Sequence, residues 1–442
     1  YKYTALKQDF MREYNLYLPY HNQVKWLEIG VPEKAKLTPL PLGGDRPIVI
    51  YGTSIAQGAA APRPGLTWTA ILGRRLQTPV INLGFAGCGR LEEPVVNLLA
   101  ELEAKIYVLD CLPNLLGREE DIKTRLTAAV KILQQRRPGV PVLITDHAAA
   151  NAVSLNTSRD ERCRKANAAS REAFEQLEAA GVKNIFYLSA DSIGLTDESL
   201  AVDGIHPDVA GMALYAAAYE KAIRRILHEP VGPYTTMQPR RQFRGRSYKW
   251  NERHDDLLRA NRENPPQIVV LGNSIVQHWG GKGDNTIHRG EDSWKEYLAP
   301  LGARNFGFGG DCIENLLWRV YHGELDGYRA KQVVVMAGTN NIGMNTDEEI
   351  VAGIKLLLQV VKEKQPAAGL LMVGILPRRG KEPRVAALNR QIAALCSREH
   401  IPYTDPGKLL LDISGKIKEP LFADGLHPAA EGYRVLAQAI RP

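Results

Sequence analysis

Ile268-Val269-Val270-Leu271-Gly272-Asn273-Ser274-Ile275-Val276-Gln277 is an unbroken aliphatic run closed by a glycine, a small polar residue and a serine. A short apolar run ended by glycine reads as a strand buried on both faces, the kind that parallel sheets use. The serine then falls just past the strand's C-terminal end, where open α/β sheets place their ligands. Almost the same order stands earlier as Ile48-Val49-Ile50-Tyr51-Gly52-Thr53-Ser54-Ile55-Ala56-Gln57. One such serine is a weak signal; two ask for a repeat.

Outward from these stretches the halves stay in step. Asn82-Leu83-Gly84-Phe85-Ala86-Gly87-Cys88 answers Asn305-Phe306-Gly307-Phe308-Gly309-Gly310-Asp311, and Val202-Asp203-Gly204-Ile205-His206-Pro207 answers Ala423-Asp424-Gly425-Leu426-His427-Pro428. Serine and histidine are 152 residues apart in the first half and 153 in the second. Matched order and spacing make this a tandem duplication. Apolar runs near 47–51, 80–84, 105–110, 141–145 and 183–188, and again near 267–272, 303–307, 331–336, 369–375 and 401–403, alternate with amphipathic stretches. That alternation predicts βαβ units around a parallel sheet of about five strands in each half.

The expected division is a short β segment at 1–44, a first domain at 45–228, a linker and connecting helix at 229–262, and a second domain at 263–442. Residues 14–18 and 24–29 are strand-like, too few for a core of their own, and fit either packing on the following domain or the tail of a further β-domain. Residues 229–245 hold three prolines and two glycines with no apolar period, the composition of a linker. The basic residues Arg240, Arg241, Arg244, Arg246, Lys249 and Arg253 gather there; a solvated linker suits them better than a nucleic-acid surface, and no nucleic-acid signature accompanies them. The net charge is +7 over 442 residues, and no window is apolar enough for a membrane span. The five cysteines are scattered and odd in number, so they set no disulfide framework.

The chemistry comes from the order Ser…Asp-x-x-His, present twice. Acyl transfer by a nucleophile needs a hydroxyl, a base to take its proton, and a group that fixes the base's tautomer. The candidates are Ser54, His206 and Asp203 in the first half and Ser274, His427 and Asp424 in the second. Asp and His three apart can share one turn at a helix start, with Pro207 and Pro428 following. The glycines Gly87 and Gly310 can turn a backbone N–H toward a developing oxyanion. Asn340 follows the third strand of its half, which flanks the crevice beside the first strand in a flavodoxin-like order. Asn114 is its counterpart, read with one residue more before it. Trp279 suits either the wall of a small acyl pocket, a sugar platform or the core. Arg378 and Arg379, after the fourth strand, suit a sugar carboxylate or a solvated loop. No metal-ligand spacing occurs.

These blocks resemble the SGNH (GDSL-type) hydrolases, whose signature residues are a Ser in a Gly-Asp-Ser-like block, a Gly, an Asn in Gly-x-Asn and a His in Asp-x-x-His. The second half looks especially like the platelet-activating-factor acetylhydrolase subgroup, and the first like bacterial SGNH esterases. Both halves depart from the usual Asp before the serine, having Thr53 and Asn273. The resemblance implies two tandem three-layer α/β/α domains and serine-esterase chemistry without metal or cofactor. The oxyanion would be held by the serine N–H, Gly87 or Gly310, and Asn114 or Asn340. It further implies a periplasmic or secreted carbohydrate O-acetylesterase, of sialate type among others. The rivals are a lipid or other small-acyl esterase, and a chain with one catalytic half and one glycan-binding half. The substrate is expected to be a small-molecule or glycan acetyl ester.

Overall fold

The computed structural model describes residues 15–35, 39, 43–148, 157–242, 249–281 and 287–440. They form two compact units, divided between His228 and Glu229.

In the first unit the order is β1 (Ile48–Gly52), α1 (Ser54–Gln57), α2 (Trp68–Leu76), β2 (Val80–Gly84), α3 (Glu93–Leu99), β3 (Ile106–Asp110), α4 (Glu119–Arg136), β4 (Val142–Thr145), α5 (Thr157–Ala179), β5 (Ile185–Leu188), α6 (Ala190–Ile193) and α7 (Val209–Ile226). All pairings are parallel, in the order β2-β1-β3-β4-β5. The second unit runs α8 (Trp250–Glu263), β6 (Ile268–Gly272), α9 (Ser274–Gln277), α10 (Glu291–Ser293), β7 (Ala303–Gly307), α11 (Ile313–Arg319), β8 (Gln332–Met336), α12 (Asp347–Lys364), β9 (Gly369–Val373), α13 (Glu382–Arg398), β10 (Tyr403–Thr404) and α14 (Ala430–Ala439). Its sheet has the same order, β7-β6-β8-β9-β10. In each sheet the strand order reverses between the first and third strands, which puts a crevice at the C-terminal ends of those two.

The apolar runs form strands because helices cover both faces. From β1, Val49 and Tyr51 join the layer under α3, α4 and α5, while Ile48 and Ile50 join the layer under α2 and α7. Val269 and Leu271 of β6 face α11, α12 and α13; Ile268 and Val270 face the opposite side with Trp279 and α14. Each large aliphatic side chain so buried contributes about 1.5–3 kcal/mol. A one-residue slip would exchange the two layers, which holds the register.

Three expectations change. The described residues 15–35 contain no strand. Among the described residues they have no partner to close a ladder, and Trp26 is 76% exposed. What fixes them is side-chain contact: Tyr20 donates its hydroxyl to the Ala61 carbonyl, and Gln57 Nε2 donates to the Tyr20 carbonyl at 3.0 Å. The 229–245 stretch does not behave as a solvated linker where it is described. Thr236 is buried and donates to the Glu349 carbonyl at 2.6 Å, and Tyr321 donates to the Pro230 carbonyl at 2.6 Å. Proline and glycine here shape a strap on the second unit. Part of the basic cluster is packed on the same unit: Arg241 of the strap stands 5.3 Å from the Trp318 ring, and Arg253, on α8, donates through Nε to the Gly307 carbonyl at 2.9 Å with its guanidinium 5.0 Å from the Phe308 ring. Arg244 and Arg246 lie outside the described residues.

One buried acid makes the first unit pH-sensitive. Asp110 ends β3 inside the core, where burial pushes its carboxyl up to about 7 and a 3.3 Å bond from Thr145 offsets only part of that. The folded chain therefore holds a proton that the unfolded chain, with an ordinary carboxyl near ~3.9, releases. Stability contributed by the neutral acid is present below about pH 4 and is lost as pH rises toward 7. Asp110→Asn is expected to stabilise the first unit by on the order of 2–4 kcal/mol at pH 8 and to have little effect at pH 4. Hydrogen exchange of the 106–110 segment at the two pH values checks this; an equal effect at both would contradict it.

Candidate active site

Each serine opens a single helical turn directly after a strand. Thr53 Oγ1 accepts the Ile55 N–H at 3.3 Å and Asn273 Oδ1 accepts the Ile275 N–H at 3.0 Å, so the residue before the serine is a helix cap. That is why a residue other than aspartate serves there. The far end of each turn is held by the asparagine of the second strand. Asn82 Nδ2 donates to the Ala56 carbonyl at 2.8 Å and Asn305 Nδ2 to the Val276 carbonyl at 2.6 Å. Gly84 and Gly307 permit this approach: a Cβ on either would lie 2.1 Å from the backbone nitrogen of Gln57 or Gln277.

Ser54 Oγ lies 2.8 Å from His206 Nε2, and His206 Nδ1 lies 2.7 Å from Asp203 Oδ2. In the second unit Ser274 Oγ lies 2.9 Å from His427 Nε2, and His427 Nδ1 is 2.8 Å from Asp424 Oδ2. With Nδ1–H donated to the carboxylate, Nε2 is the acceptor that faces the serine hydroxyl. The other oxygen of each aspartate accepts two backbone N–H groups, from Ile205 and His206 at 3.0 and 2.8 Å and from Leu426 and His427 at 3.1 and 2.8 Å. Partial burial alone would raise both carboxyls. These N–H donors and the imidazole outweigh it, holding Asp203 below the usual range and Asp424 well below it. Both aspartates therefore stay ionised wherever the histidine acts as base.

The Asp-x-x-His segment is not the start of a helix. The helices begin after it, at Val209 and Ala430, with Asp208 and Ala429 as caps. The segment is a turn closed by the bridges Ala201–Pro207 and Phe422–Pro428, with Gly204 and Gly425 at φ +75° and +80°. The first-unit asparagine also changes. Gly52 pairs with Asp110 and Gly272 with Met336, so Asn114 and Asn340 stand at the same offset from matched strand positions, and the first half has no extra residue. Asn114 Nδ2 donates to the Phe85 and Gly89 carbonyls at 3.3 and 3.2 Å; Asn340 Nδ2 donates to the Asp311 carbonyl at 2.8 Å. Each amide thus meets the turn that carries Gly87 or Gly310, whose φ values are +69° and +80°. Serine, glycine turn and asparagine come together twice, as an acyl-transfer site with oxyanion donors requires.

The other candidates divide. Trp279 is 0% exposed, donates to Ser293 Oγ at 3.0 Å and packs against Tyr433, so it is core and not a substrate wall. Arg379 is paired with Glu419 through two nitrogens, at 2.9 and 2.6 Å, and its N–H donates to the Gly425 carbonyl at 2.8 Å. It braces the histidine turn and is not a free carboxylate receptor. Arg378 is half-buried beside the asparagine, with Nη1 on the Thr339 carbonyl at 3.1 Å.

Three residues at the sites escaped the sequence reading. The His278 ring lies 4.8 Å from the His427 ring, tilted by 39°; burial first, then His427 and Arg289, lower it to about 4, so it is neutral at physiological pH. Arg289 Nη1 shares Asp424 Oδ2 at 3.2 Å. In the first unit His147, just past β4, is buried, is lowered to about 4 chiefly by burial, and neither ring nitrogen has a hydrogen-bond partner among the described residues. The two histidines stand a few residues past strand ends, the one signal that could have marked them; nothing local marks Arg289.

The fold and these contacts define a serine ester hydrolase, with Ser-His-Asp triads at the crevice of flavodoxin-ordered sheets. GDSL-like lipase/acylhydrolase family profiles match residues 45–224 and 270–435. The chain is 37% identical over 199 residues to platelet-activating factor acetylhydrolase IB subunit alpha1 of Bos taurus, covering 43% of this chain and 81% of that protein. To the alpha2 subunit of Rattus norvegicus it is 35% identical over 135 residues, 30% of this chain and 54% of that protein. A putative GDSL-like lipase from Bacteroides ovatus superposes with a TM-score of 0.45 at 34% identity, over 48% of this chain; the chain spans 62% of that structure's length. The chain belongs to the GDSL-like lipase/acylhydrolase family and carries two of its domains in tandem.

Proposed function

We propose that both sites are catalytic and that they remove O-acetyl groups from carbohydrates. The serine attacks the ester carbonyl while the histidine takes its proton and returns it to the departing sugar hydroxyl. Water then releases acetate from the acyl-serine by the same route. The observation that carries the substrate class is the openness of both triads. The Asp203 and Asp424 side chains are 50% and 43% exposed, and their histidines 25% and 17%. A site flush with the surface admits a bulky polar alcohol, whereas a long acyl chain calls for an enclosed apolar channel. Arg378, beside Asn340, supplies a cation at the second site for a carboxylate or oxygen of such a sugar. Work on glycans further fits a periplasmic or secreted enzyme, which cell fractionation tests.

A panel of acetylated mono- and oligosaccharides, read by acetate release, is expected to give kcat/KM at least about tenfold above that for p-nitrophenyl esters with long acyl chains. The reverse preference would overturn the carbohydrate reading. It would favour the second one, a small-acyl hydrolase of another alcohol, which the acetylhydrolase names of the relatives support.

A further inference from the structure

Asp311, Arg319 and Glu324 of the second unit are all fully buried. The Arg319 guanidinium reaches in four directions. Its Nε donates to Asp311 Oδ2 at 2.8 Å, and its Nη1 donates to Glu324 Oε2 at 2.6 Å and to the Phe306 carbonyl at 3.2 Å. Its Nη2 donates to the Gly272 carbonyl at 3.0 Å. The second Asp311 oxygen accepts Trp250 Nε1 and Gln242 Nε2, each at 2.8 Å, and the second Glu324 oxygen meets His254 Nδ1 at 2.8 Å.

A buried cluster of this kind is a poor way to gain stability. Well-packed apolar side chains in the same volume commonly do as well or better, because taking charges out of water is costly. What the cluster touches gives another reason for it. Gly272 is two residues before the nucleophile Ser274, Phe306 lies on β7, and Asp311 directly follows Gly310. Asn340, the amide donor of the site, bonds the carbonyl of that same Asp311 at 2.8 Å. The serine turn, the glycine turn and the asparagine are thus tied to one guanidinium.

We infer that Arg319 is a positioning residue for the oxyanion hole of the second site, acting through Asp311 and the Gly272 carbonyl, and that Trp250 and Gln242 complete the clamp. Arg319 touches no substrate. It fixes where the Ser274 and Gly310 N–H groups and the Asn340 amide point, and such donors act only when aimed at the oxyanion beforehand. A flat fork with several donors suits this work, and an ammonium does not. Trp250 and Gln242 come from the stretch that the sequence marks as linker and connecting helix, so that stretch is part of the site's support.

The first unit supplies an internal control. Its residue after Gly87 is the exposed Cys88, and the position matching Arg319 by count from the glycine is the buried Val96. There Tyr51 donates to Glu92, which also accepts the Arg90 N–H at 2.8 Å. The two sites reach similar geometry by different means.

The test uses the full chain carrying Ser54→Ala, in which only the second site turns over. The inference rests on that site being a serine esterase, and hydrolysis of p-nitrophenyl acetate by this parent chain establishes that first. Trp250→Phe keeps an aromatic ring and removes the N–H; Arg319→Lys keeps charge and removes the fork. The expected fall in kcat is about 10-fold for Trp250→Phe and about 100-fold for Arg319→Lys, with KM within about threefold. The same changes in a Ser274→Ala chain leave first-site kcat as it was. Unchanged second-site kcat in a folded Trp250→Phe chain, or equal losses at both sites, would overturn the inference. Should Arg319→Lys fail to fold, Trp250→Phe decides.

Discussion

Replacing both nucleophiles, Ser54→Ala together with Ser274→Ala, is expected to lower kcat for ester hydrolysis by roughly 10⁴–10⁶-fold. Each single variant keeps the activity of the other site, because each unit holds its own serine, histidine and aspartate within 2.9 Å of their partners. The loss should fall on kcat. Alanine removes the attacking oxygen and little else, so substrate binding at the open crevice is preserved. Acetate release by the two single variants and the double variant measures this. A double variant with wild-type kcat would place the chemistry elsewhere.

The second large effect concerns the carboxylates. Asp424→Asn in a Ser54→Ala chain, and Asp203→Asn in a Ser274→Ala chain, are each expected to lower kcat by about 10³–10⁴-fold. An amide keeps the size of the side chain and can still accept the two backbone N–H groups that each aspartate now holds. It cannot stabilise the imidazolium that forms as the serine gives up its proton, and its NH₂ favours the wrong tautomer. In the Asp424→Asn chain Arg289 would also lose the negative charge that it now meets at 3.2 Å, which should make the second-site loss the larger of the two. Comparable kcat in the aspartate and asparagine forms would show that the aspartates are turn-formers only.

Much of the fold is legible in the sequence because parallel strands buried on both faces are written as uninterrupted aliphatic runs. Val269-Val270-Leu271 and Val333-Val334-Val335 leave little else to form. The triads are legible because they occur twice: duplication turned the Asp203–His206 and Asp424–His427 segments from loop composition into a spacing. What was not legible depends on partners distant in the chain. Nothing local tells that Gln242 and Trp250 will meet Asp311, that Arg379 will be claimed by Glu419, or that Trp279 will hydrogen-bond Ser293 inside the core. Pro and Gly in 229–245 mark irregular backbone, and irregular backbone is as compatible with a packed strap as with a free linker. The Asn114 register needed strand pairing, since counting from an apolar run is uncertain by a residue at its end.

The most direct measurement is covalent capture of the nucleophiles. A serine-directed phosphonate reacted with the intact chain and followed by peptide mapping is expected to give two adducts per chain, on Ser54 and on Ser274. Asp203→Asn is expected to suppress the first adduct and Asp424→Asn the second. Adducts on other serines, or adducts that form at the same rate when both aspartates are replaced, would contradict the account.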